Sequence, residues 1–296
     1  MAKQYHSLAL KNTLAEVELI RNFRHDNSWL STLVPKPQWV NNDVIKIPKR
    51  GLAPKVLINN KIYPIASNKR EDGYISLSLH MYDTENTPVT DEELYALPYD
   101  KLGDVQQQHR EELEDKTAEH ALYSIAPDHS DETPVLVTTG EDDGTGRKRL
   151  TAKDLINFKK ALDKRLVPKD GRVLVLCPDH VADLLIEDLT FKQRYQDANG
   201  GMIAKSYYGF ETYESTYAPK YDKSAKTKKP FGSADDGVEA SVAFHKKNTV
   251  KAPGSVKRYA RAAADNPEMR ENTIGFRLHW IAVAIKDEGT AAIISG

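Results

Sequence analysis

The sequence predicts an α+β fold in which extended segments lie outside a compact core. Short β-branched runs occur between residues 39 and 82, as expected for strands. Residues 99–125 contain no proline and place apolar residues at helical spacing. Residues 150–216 alternate between strand and helix patterns, which is typical of a compact α/β unit.

Composition limits the classes of function open to the chain. The 42 basic and 43 acidic residues give a formal net charge of −1. This balance argues against a dedicated nucleic-acid-binding protein, because affinity for phosphates needs clustered positive charge. A near-neutral chain can instead pack densely against like copies, since strong net charge would oppose association.

Cysteine content and hydropathy indicate a reducing, aqueous environment. The single cysteine, Cys177, excludes an intramolecular disulfide and a zinc site built from cysteines, and its apolar surroundings predict a core residue. No stretch approaches the ~20 apolar residues that span a membrane. The N-terminus also lacks the apolar segment of a signal peptide. We therefore expect the protein in a reducing cytoplasm, with no membrane partner.

The first 36 residues are predicted to form an N-terminal arm. They are polar and irregular, with one short amphipathic stretch and the apolar residues Trp29, Leu30 and Leu33. Such a segment buries little surface on itself, so it should pack on another surface. A frayed terminus is the alternative interpretation.

Residues 37–93 are predicted to form an extended β-hairpin loop. Strand patterns occupy 44–48, 55–58 and 74–82, and the segment between the last two contains the charged turn 67–73. An isolated two-stranded ribbon is only marginally stable in water, so it needs a partner surface. The residues expected on one face of the last strand are Ile75, Leu77, Leu79 and Met81.

A long helix is predicted from Tyr99 to about Ile125, after an acidic lead-in at 91–93. Its length is roughly 40 Å at 1.5 Å per residue. The helix should end before Pro127. The residues at helical spacing are Leu102, Val105, His109, Leu113, Lys116, His120 and Tyr123.

The second half of the chain is predicted to begin with an α/β unit. Thr151 should cap a helix over 152–166, and a turn at 167–171 should lead into a buried strand. The further elements expected in order are a strand at 172–177, a helix at 179–188, a strand at 207–215, a long loop at 217–237, and closing strands at 240–245, 274–285 and 291–294.

Signatures of catalysis and metal binding are absent from the sequence. His109 and His120 lie near carboxylates on the long helix, but without the HExxH spacing. The loop 140–148 departs from a phosphate-binding loop because Thr145 occupies a required glycine position. Asp142 and Asp143 lack the remaining ligands of a calcium loop. We predict no catalytic residue, cofactor site or metal site, and therefore no enzyme.

One basic concentration stands out in the loop 217–237. It could contact DNA or an acidic neighbour, whereas a solvated mobile loop is the alternative. Its members are Lys220, Lys223, Lys226, Lys228 and Lys229.

The order of these segments resembles the major capsid proteins of tailed bacteriophages, with the HK97-like fold. The most specific stretch runs from Val167-Pro168 through Gly171-Arg172 and the apolar strand to Pro178. It is followed by Gly209 to Ser215, in the order seen in that family. The strand at 240–246 and the end of the chain are similar to later family segments.

The resemblance implies a domain plan. Residues 1–36 would be the N-terminal arm and 37–93 the extended loop (E-loop). Residues 94–149 and 238–296 would form a peripheral domain with the long spine helix and the closing strands. Residues 150–237 would form an axial domain, including the basic loop.

The resemblance also implies a structural function: self-assembly into hexamers and pentamers that form an icosahedral head shell around double-stranded DNA, in the virion, after assembly in the bacterial cytoplasm. Portal, scaffolding and decoration proteins would be partners. An encapsulin-like compartment shell is one alternative, and a soluble α/β enzyme centred on 150–216 is another. The residues expected at contacts between subunits are Trp29, Lys49, Arg50, Lys69, Arg70, Glu71 and Asp72.

Overall fold

Two large β-sheets, one small sheet and five α-helices make up the part of the chain that the computed structural model describes. The described residues are 29–41, 44–49, 61, 63–64, 69, 71–96, 101–129, 133–197, 202–233 and 237–296. The helices are α1 (Asp91–Ala96), α2 (Lys101–Ile125), α3 (Ala152–Lys164), α4 (Pro178–Glu187) and α5 (Leu189–Gln196).

The strands are short in the first half of the chain and longer toward its end. They are β1 (Val34–Pro35), β2 (Val40–Asn41), β3 (Val44–Lys49), β4 (Gly73–Ser78), β5 (His80–Asp83), β6 (Thr87–Thr90), β7 (Val135–Val137), β8 (Arg172–Leu176), β9 (Met202–Tyr207), β10 (Phe210–Glu214), β11 (Lys220–Tyr221), β12 (Val238–His245), β13 (Thr249–Arg261), β14 (Glu271–Ala284) and β15 (Thr290–Ile294).

Three sheets organise these strands. The five-stranded sheet has the order β1-β13-β14-β5, and β6 pairs with another part of β14. The seven-stranded sheet has the order β7-β15-β12-β8-β10-β9, and β11 pairs with β12. The three-stranded sheet β2-β3-β4 lies within the predicted extended loop, whose later residues form β5 and β6 of the five-stranded sheet. The α+β fold class predicted from the sequence is confirmed.

The long helix α2 packs against β14 and contributes to a core shared with the seven-stranded sheet. The predicted helix is confirmed over 101–125. Its buried row runs through Val105, Leu113 and Thr117, and the Thr117 hydroxyl donates to the Leu113 carbonyl at 2.8 Å. Lys116 was predicted on this face but is exposed. Four residues make slightly more than one helical turn, so the buried row shifts around the helix and includes position 117 instead of 116.

A second core lies on one face of the seven-stranded sheet, under α3, α4 and α5. Thr151 caps α3 as predicted, and Asp154 completes a capping box. The predicted strand at 172–177 and helix at 179–188 correspond to β8 and α4. The sequence missed α5, a short helix whose only fully buried residue is Phe191.

The strand predicted at 74–82 is wrong as a single element. It breaks at Leu79 into β4, which pairs with β3, and β5, which pairs with β14. Leu79 is buried, but Ile75 and Met81 are 40% and 56% exposed, so the predicted apolar face is not continuous. The break changes which side of the strand faces the core.

The segment 207–215, predicted as one strand, contains the last residue of β9, a two-residue turn and β10, and so belongs to a hairpin. Tyr208 and Gly209 both have positive φ (47° and 85°) and form the turn between β9 and β10. Positive φ at both central residues matches the twist of a two-residue hairpin.

Of the longest strand pair, β13 with β14, only β14 was predicted from the sequence. Pro253 and Gly254 lie inside β13 and weakened its strand pattern. The ladder accommodates them at a register shift between Pro253 and Val256.

The closing strands belong to two different sheets. The sequence grouped 238–296 with 94–149, whereas the structure divides this segment between the two large sheets. β12 and β15 pair with each other, and β12 also pairs with β8 of the predicted axial domain. β12 is buried from Ala240 to His245 because it lies inside the seven-stranded sheet with cores on both faces. The division of the chain into peripheral and axial domains stays a prediction.

The last residues of the predicted arm pack on the chain's own core. Trp29 is 3% exposed and lies edge-on to Phe244, with ring centroids 5.9 Å apart. Leu30 and Leu33 are fully buried beside it, and β1 pairs with β13. Three closely spaced apolar residues fill this part of the chain's own core. Trp29 therefore has little surface left for the subunit contact predicted for it. Residues 1–28 lie outside the described residues.

Replacing Trp29 by alanine should destabilise the subunit by about 3–5 kcal/mol, because it leaves a large cavity in the core. The free energy of unfolding, measured by urea titration, tests this. The control is Tyr74→Ala, whose side chain is 68% exposed and whose loss should stay within about 0.5 kcal/mol. Equal small losses in both variants would contradict the core position of residues 29–33.

Candidate assembly surfaces

The turn that carries the most specific sequence motif is held by a buried arginine. Arg172 is 2% exposed and donates to Asp163 Oδ1 at 2.7 Å, to the Pro168 carbonyl at 2.9 Å and to the Val167 carbonyl at 2.5 Å. The neighbouring Lys159 and Arg172 lower the pKa of Asp163 to about 2. The motif therefore specifies a chain reversal that starts β8, and it has a structural role.

The acidic glycine-rich loop is anchored to α4. Arg147 donates to both oxygens of Asp183, each at 2.8 Å, and Asp183 also accepts from the Leu150 amide. Asp143 accepts from the backbone and hydroxyl of Thr145 and from Arg147, which together lower its pKa to about 2. The loop oxygens are thus used within the chain, as expected for a structured surface turn.

A buried polar cluster links α4 to β12 and the C-terminus. His180 is fully buried, with Nδ1 2.6 Å from Ser241 Oγ and Nε2 3.1 Å from Ser295 Oγ. Burial lowers the pKa of His180 to about 4 and raises that of the nearby Cys177 thiol to about 12. These groups lie within the core and satisfy one another, so a substrate has no access to them.

The described residues contain neither a metal-binding cluster nor a membrane-spanning helix. Within the described ranges, no group of three histidine, cysteine, aspartate or glutamate side chains comes together as a metal site. Over the same residues, no helix is long and apolar enough to cross a membrane.

The base of the extended loop packs on the chain's own sheet, and its outer surface is exposed. Ile45 and Ile47 are buried against Ala252 and Ile281 of the five-stranded sheet. Tyr74 is 68% exposed, and the Lys46 ammonium lies 5.6 Å from its ring centre.

The predicted contact residues of the loop fall on or beside its exposed end. Lys69, Glu71 and Asp72 are exposed, and Lys49 ends β3. Arg50 and Arg70 lie outside the described residues. Contact of these residues with another subunit stays a prediction.

The basic loop is more ordered than predicted, and Lys228 is an exception among its lysines. Its side chain is 6% exposed, and Nζ lies 2.9 Å from the Tyr123 carbonyl, 2.8 Å from the Ala126 carbonyl and 2.7 Å from Asp128. A cation there satisfies carbonyls at the C-terminal end of α2. Lys228 is therefore a helix cap within the subunit, and its side chain has little surface left for the contact predicted for it.

The other lysines of the loop have varied surroundings. Lys220 belongs to β11, which pairs with β12, and Lys229 donates its amide to the Lys220 carbonyl at 2.9 Å. Lys223 is exposed, and Lys226 has a positive φ of 53° in a turn. Their contact with DNA or an acidic neighbour stays a prediction.

A groove of about 790 Å³ runs between β5 and α2. Val105, His109 and Leu113 contribute apolar and aromatic lining, and Glu85 and Glu112 contribute carboxylates. His109 is 8% exposed, and its Nε2 has no hydrogen-bond partner among the described residues. The groove was not predicted from the sequence, because its two walls, β5 and α2, meet only through tertiary packing.

Two histidines form one end of the groove. The rings of His80 and His120 are 4.5 Å apart, and Tyr82 Oη is 2.6 Å from His120 Nδ1. Phe231 packs on His120 with ring centroids 4.8 Å apart. Burial, followed by the charge of His80, lowers the pKa of His120 to about 4, and burial lowers that of His80.

Replacing Lys228 by methionine should lower the free energy of unfolding by about 1.5–3 kcal/mol, since charged hydrogen bonds to helix carbonyls are lost. Urea titration measures the change. Lys223→Met, at an exposed lysine of the same loop, is the matched control and should change stability by no more than about 0.5 kcal/mol. Equal effects in the two variants would refute the capping role.

The histidine pair should make the subunit less stable in acid. Because the folded-state pKa of His120 lies below its ordinary 6.5, the unfolded chain binds the proton first. Stability should therefore be lost as pH falls from about 6.5 toward 4. Urea midpoints between pH 7.5 and 4 should fall less steeply in His120→Gln than in the wild type. His129→Gln, at an exposed position, should keep the wild-type slope; a wild-type slope in His120→Gln would contradict the assignment.

Comparisons with known proteins find likeness in structure but not in sequence. No protein-family model and no curated protein matches the chain. A capsid of Ralstonia phage GP4 aligns with a TM-score of 0.63 at 10% identity, over 89% of this chain and 87% of that chain. A structure from Mycobacterium phage Che8 aligns with 0.61 at 16% identity, over 90% and 91%. A virus-like particle from Pyrococcus furiosus aligns with 0.57 at 11% identity, over 94% and 96%. The chain therefore has the fold of phage capsid proteins, as its sequence predicted.

Proposed function

We propose that the chain is a major capsid protein that assembles with copies of itself into hexamers and pentamers of an icosahedral phage head. The observation that supports this most is the alignment with capsid structures over nearly the whole of both chains. Because proteins that share a fold can differ in function, assembly of the purified chain is the decisive property.

The extended loop gives this proposal an independent physical basis. Among the described residues of the loop, Ile45 and Ile47 at its base are buried by the subunit, while Tyr63 and Tyr74 are 74% and 68% exposed. Large aromatic side chains in water on a narrow ribbon favour burial against another surface. Contacts between subunits would supply that burial.

The finer features of the proposal follow from the fold it shares. The shell would enclose double-stranded DNA in the virion after assembly in the bacterial cytoplasm. Portal and scaffolding proteins would be partners, and decoration proteins could bind outside. The basic loop, apart from Lys228, is the segment we propose for non-specific contact with DNA or an acidic neighbour.

An encapsulin-like compartment shell is the alternative function with the same fold. The alignment with the virus-like particle from Pyrococcus furiosus is the observation that bears on it. The contents of purified particles separate the two functions. Double-stranded DNA in particles from infected cells supports the phage coat, and enclosed protein without nucleic acid supports the compartment. An enzyme is disfavoured because the Ser241–His180 cluster is buried and internally bonded.

The purified chain should form hollow shells, or hexamers and pentamers, in size-exclusion chromatography and negative-stain microscopy. A stable monomer that binds a small molecule would overturn the proposed function.

Deleting residues 68–73 should reduce shell formation while the subunit remains folded, because the deletion shortens an exposed ribbon end and leaves Ile45 and Ile47 in place. Sedimentation measures shells, and circular dichroism and thermal unfolding measure the fold. Substitution of Lys153 and Lys169, two exposed lysines outside the loop, by alanine serves as the control. Undiminished assembly after deletion of 68–73 would refute the role of the ribbon.

A further inference from the structure

His120 lies at the junction of three separate parts of the chain. Its ring centroid is 4.5 Å from that of His80 on β5 and 4.8 Å from that of Phe231 in the loop 217–237. Tyr123, one turn later on α2, contacts the same Phe231 ring at 5.3 Å. One region of the long helix therefore holds both the strand β5 and the basic loop.

A hydrogen bond from Tyr82 fixes the uncharged form of His120. Tyr82 Oη lies 2.6 Å from His120 Nδ1, and burial raises the pKa of the Tyr82 hydroxyl, so the hydroxyl keeps its proton and donates it. Nδ1 is then the acceptor, and Nε2 carries the hydrogen of the neutral ring. A second proton on the ring has to bind Nδ1, where it displaces the hydrogen that Tyr82 donates.

A charge on His120 would also meet positive charge that is already present. Lys228 and a protonated His80 both oppose it, and burial opposes it further. Glu119 favours the charged ring, but it already accepts from Lys116 at 2.8 Å. The other described charged or titratable groups that face the junction or line the adjoining groove are Asp83, which is paired with Arg277, together with Glu85, His109, Glu112 and Tyr123.

The two segments that His120 holds have few other contacts. β5 is four residues long, and its ladder pairs it with β14. Phe231 is 43% exposed, and its ring contacts are with His120 and Tyr123. Lys228 stays bound to the end of α2, so release of the loop would be confined to 229–233. Segments with few buried contacts open at a low free-energy cost, before the cores unfold.

We propose that His120 is an acid-sensitive latch, which fastens β5 and the loop residues 229–233 to α2 and releases both when its ring becomes charged. The latch lies within one subunit, so it does not depend on assembly. In the proposed shell it would let acid loosen the strand through which the extended loop joins the five-stranded sheet.

Acid should open the latch before it unfolds the subunit. The folded-state pKa of His120 is about 4, below its ordinary 6.5, so the released ring binds a proton more tightly than the latched ring. The equilibrium constant for opening should therefore rise about twentyfold from pH 7 to pH 5. Hydrogen exchange of the full chain, corrected for the intrinsic effect of pH, measures opening in peptides that cover 80–83 and 229–233. Peptides that cover β8 should keep their protection.

Two variants separate the parts of the latch. His120→Gln keeps an acceptor for Tyr82 but cannot gain a charge, so its protection should change by less than about twofold over the same pH range. Phe231→Ala should expose 229–233 at both pH values and leave the acid response of β5 in place. His129→Gln, at an exposed histidine, is the matched control and should behave like the wild type. Thermal unfolding at pH 7 verifies the fold of each variant.

The same measurements can contradict the latch. A wild-type acid response in His120→Gln would overturn it, as would protection of 80–83 and 229–233 that does not change with pH in the wild type. Equal loss of protection in β8 would mean global unfolding and would also overturn it. Each of these outcomes leaves the proposed function intact, because that function is tested by shell formation.

Discussion

The packing of helix α2 against β14 is the contact on which the rest of the structure depends. Leu113 on the helix and Phe276 on the strand belong to one core, which continues into β8 and β12 of the other large sheet. This single helix therefore contacts both sheets and sets their separation. Its C-terminal end is secured from a distant part of the chain, since Lys228 donates to the Tyr123 and Ala126 carbonyls. The groove follows directly from this arrangement, because its second wall is the flank of the same helix.

Polar residues that resemble chemical machinery serve here to fix backbone. Arg172 closes a turn by binding two carbonyls and a carboxylate, and Arg147 ties a surface loop to Asp183. Buried charges of this kind are costly to break once one partner is lost, so they enforce one geometry even where their net contribution to stability is small. In the proposed shell, subunits held to one geometry would keep the angle between two contact surfaces the same around the assembly.

Prediction from sequence succeeded where a local pattern specifies an element completely. The apolar strand β8, the capped helix α3 and the proline-free α2 each carry their signals within a few residues, and all three form as expected. It failed where distant residues decide. Leu79 divides a regular strand pattern because its two halves join different sheets. β13 forms despite Pro253 and Gly254 because β14 offers it a long partner. Lys228 was expected in solvent, and only the position of the helix end explains its burial.

The sequence by itself determined the fold class, the order of the elements and the absence of catalytic motifs, because periodicity, turn residues and composition are local properties. Only the tertiary structure decided that Trp29 belongs to the subunit core, that the closing strands divide between two sheets, and that β5 and α2 enclose a groove lined with carboxylates. Those features depend on contacts between residues that lie far apart in the sequence. An apolar residue can pack against many different partners, so the sequence does not specify which one it contacts.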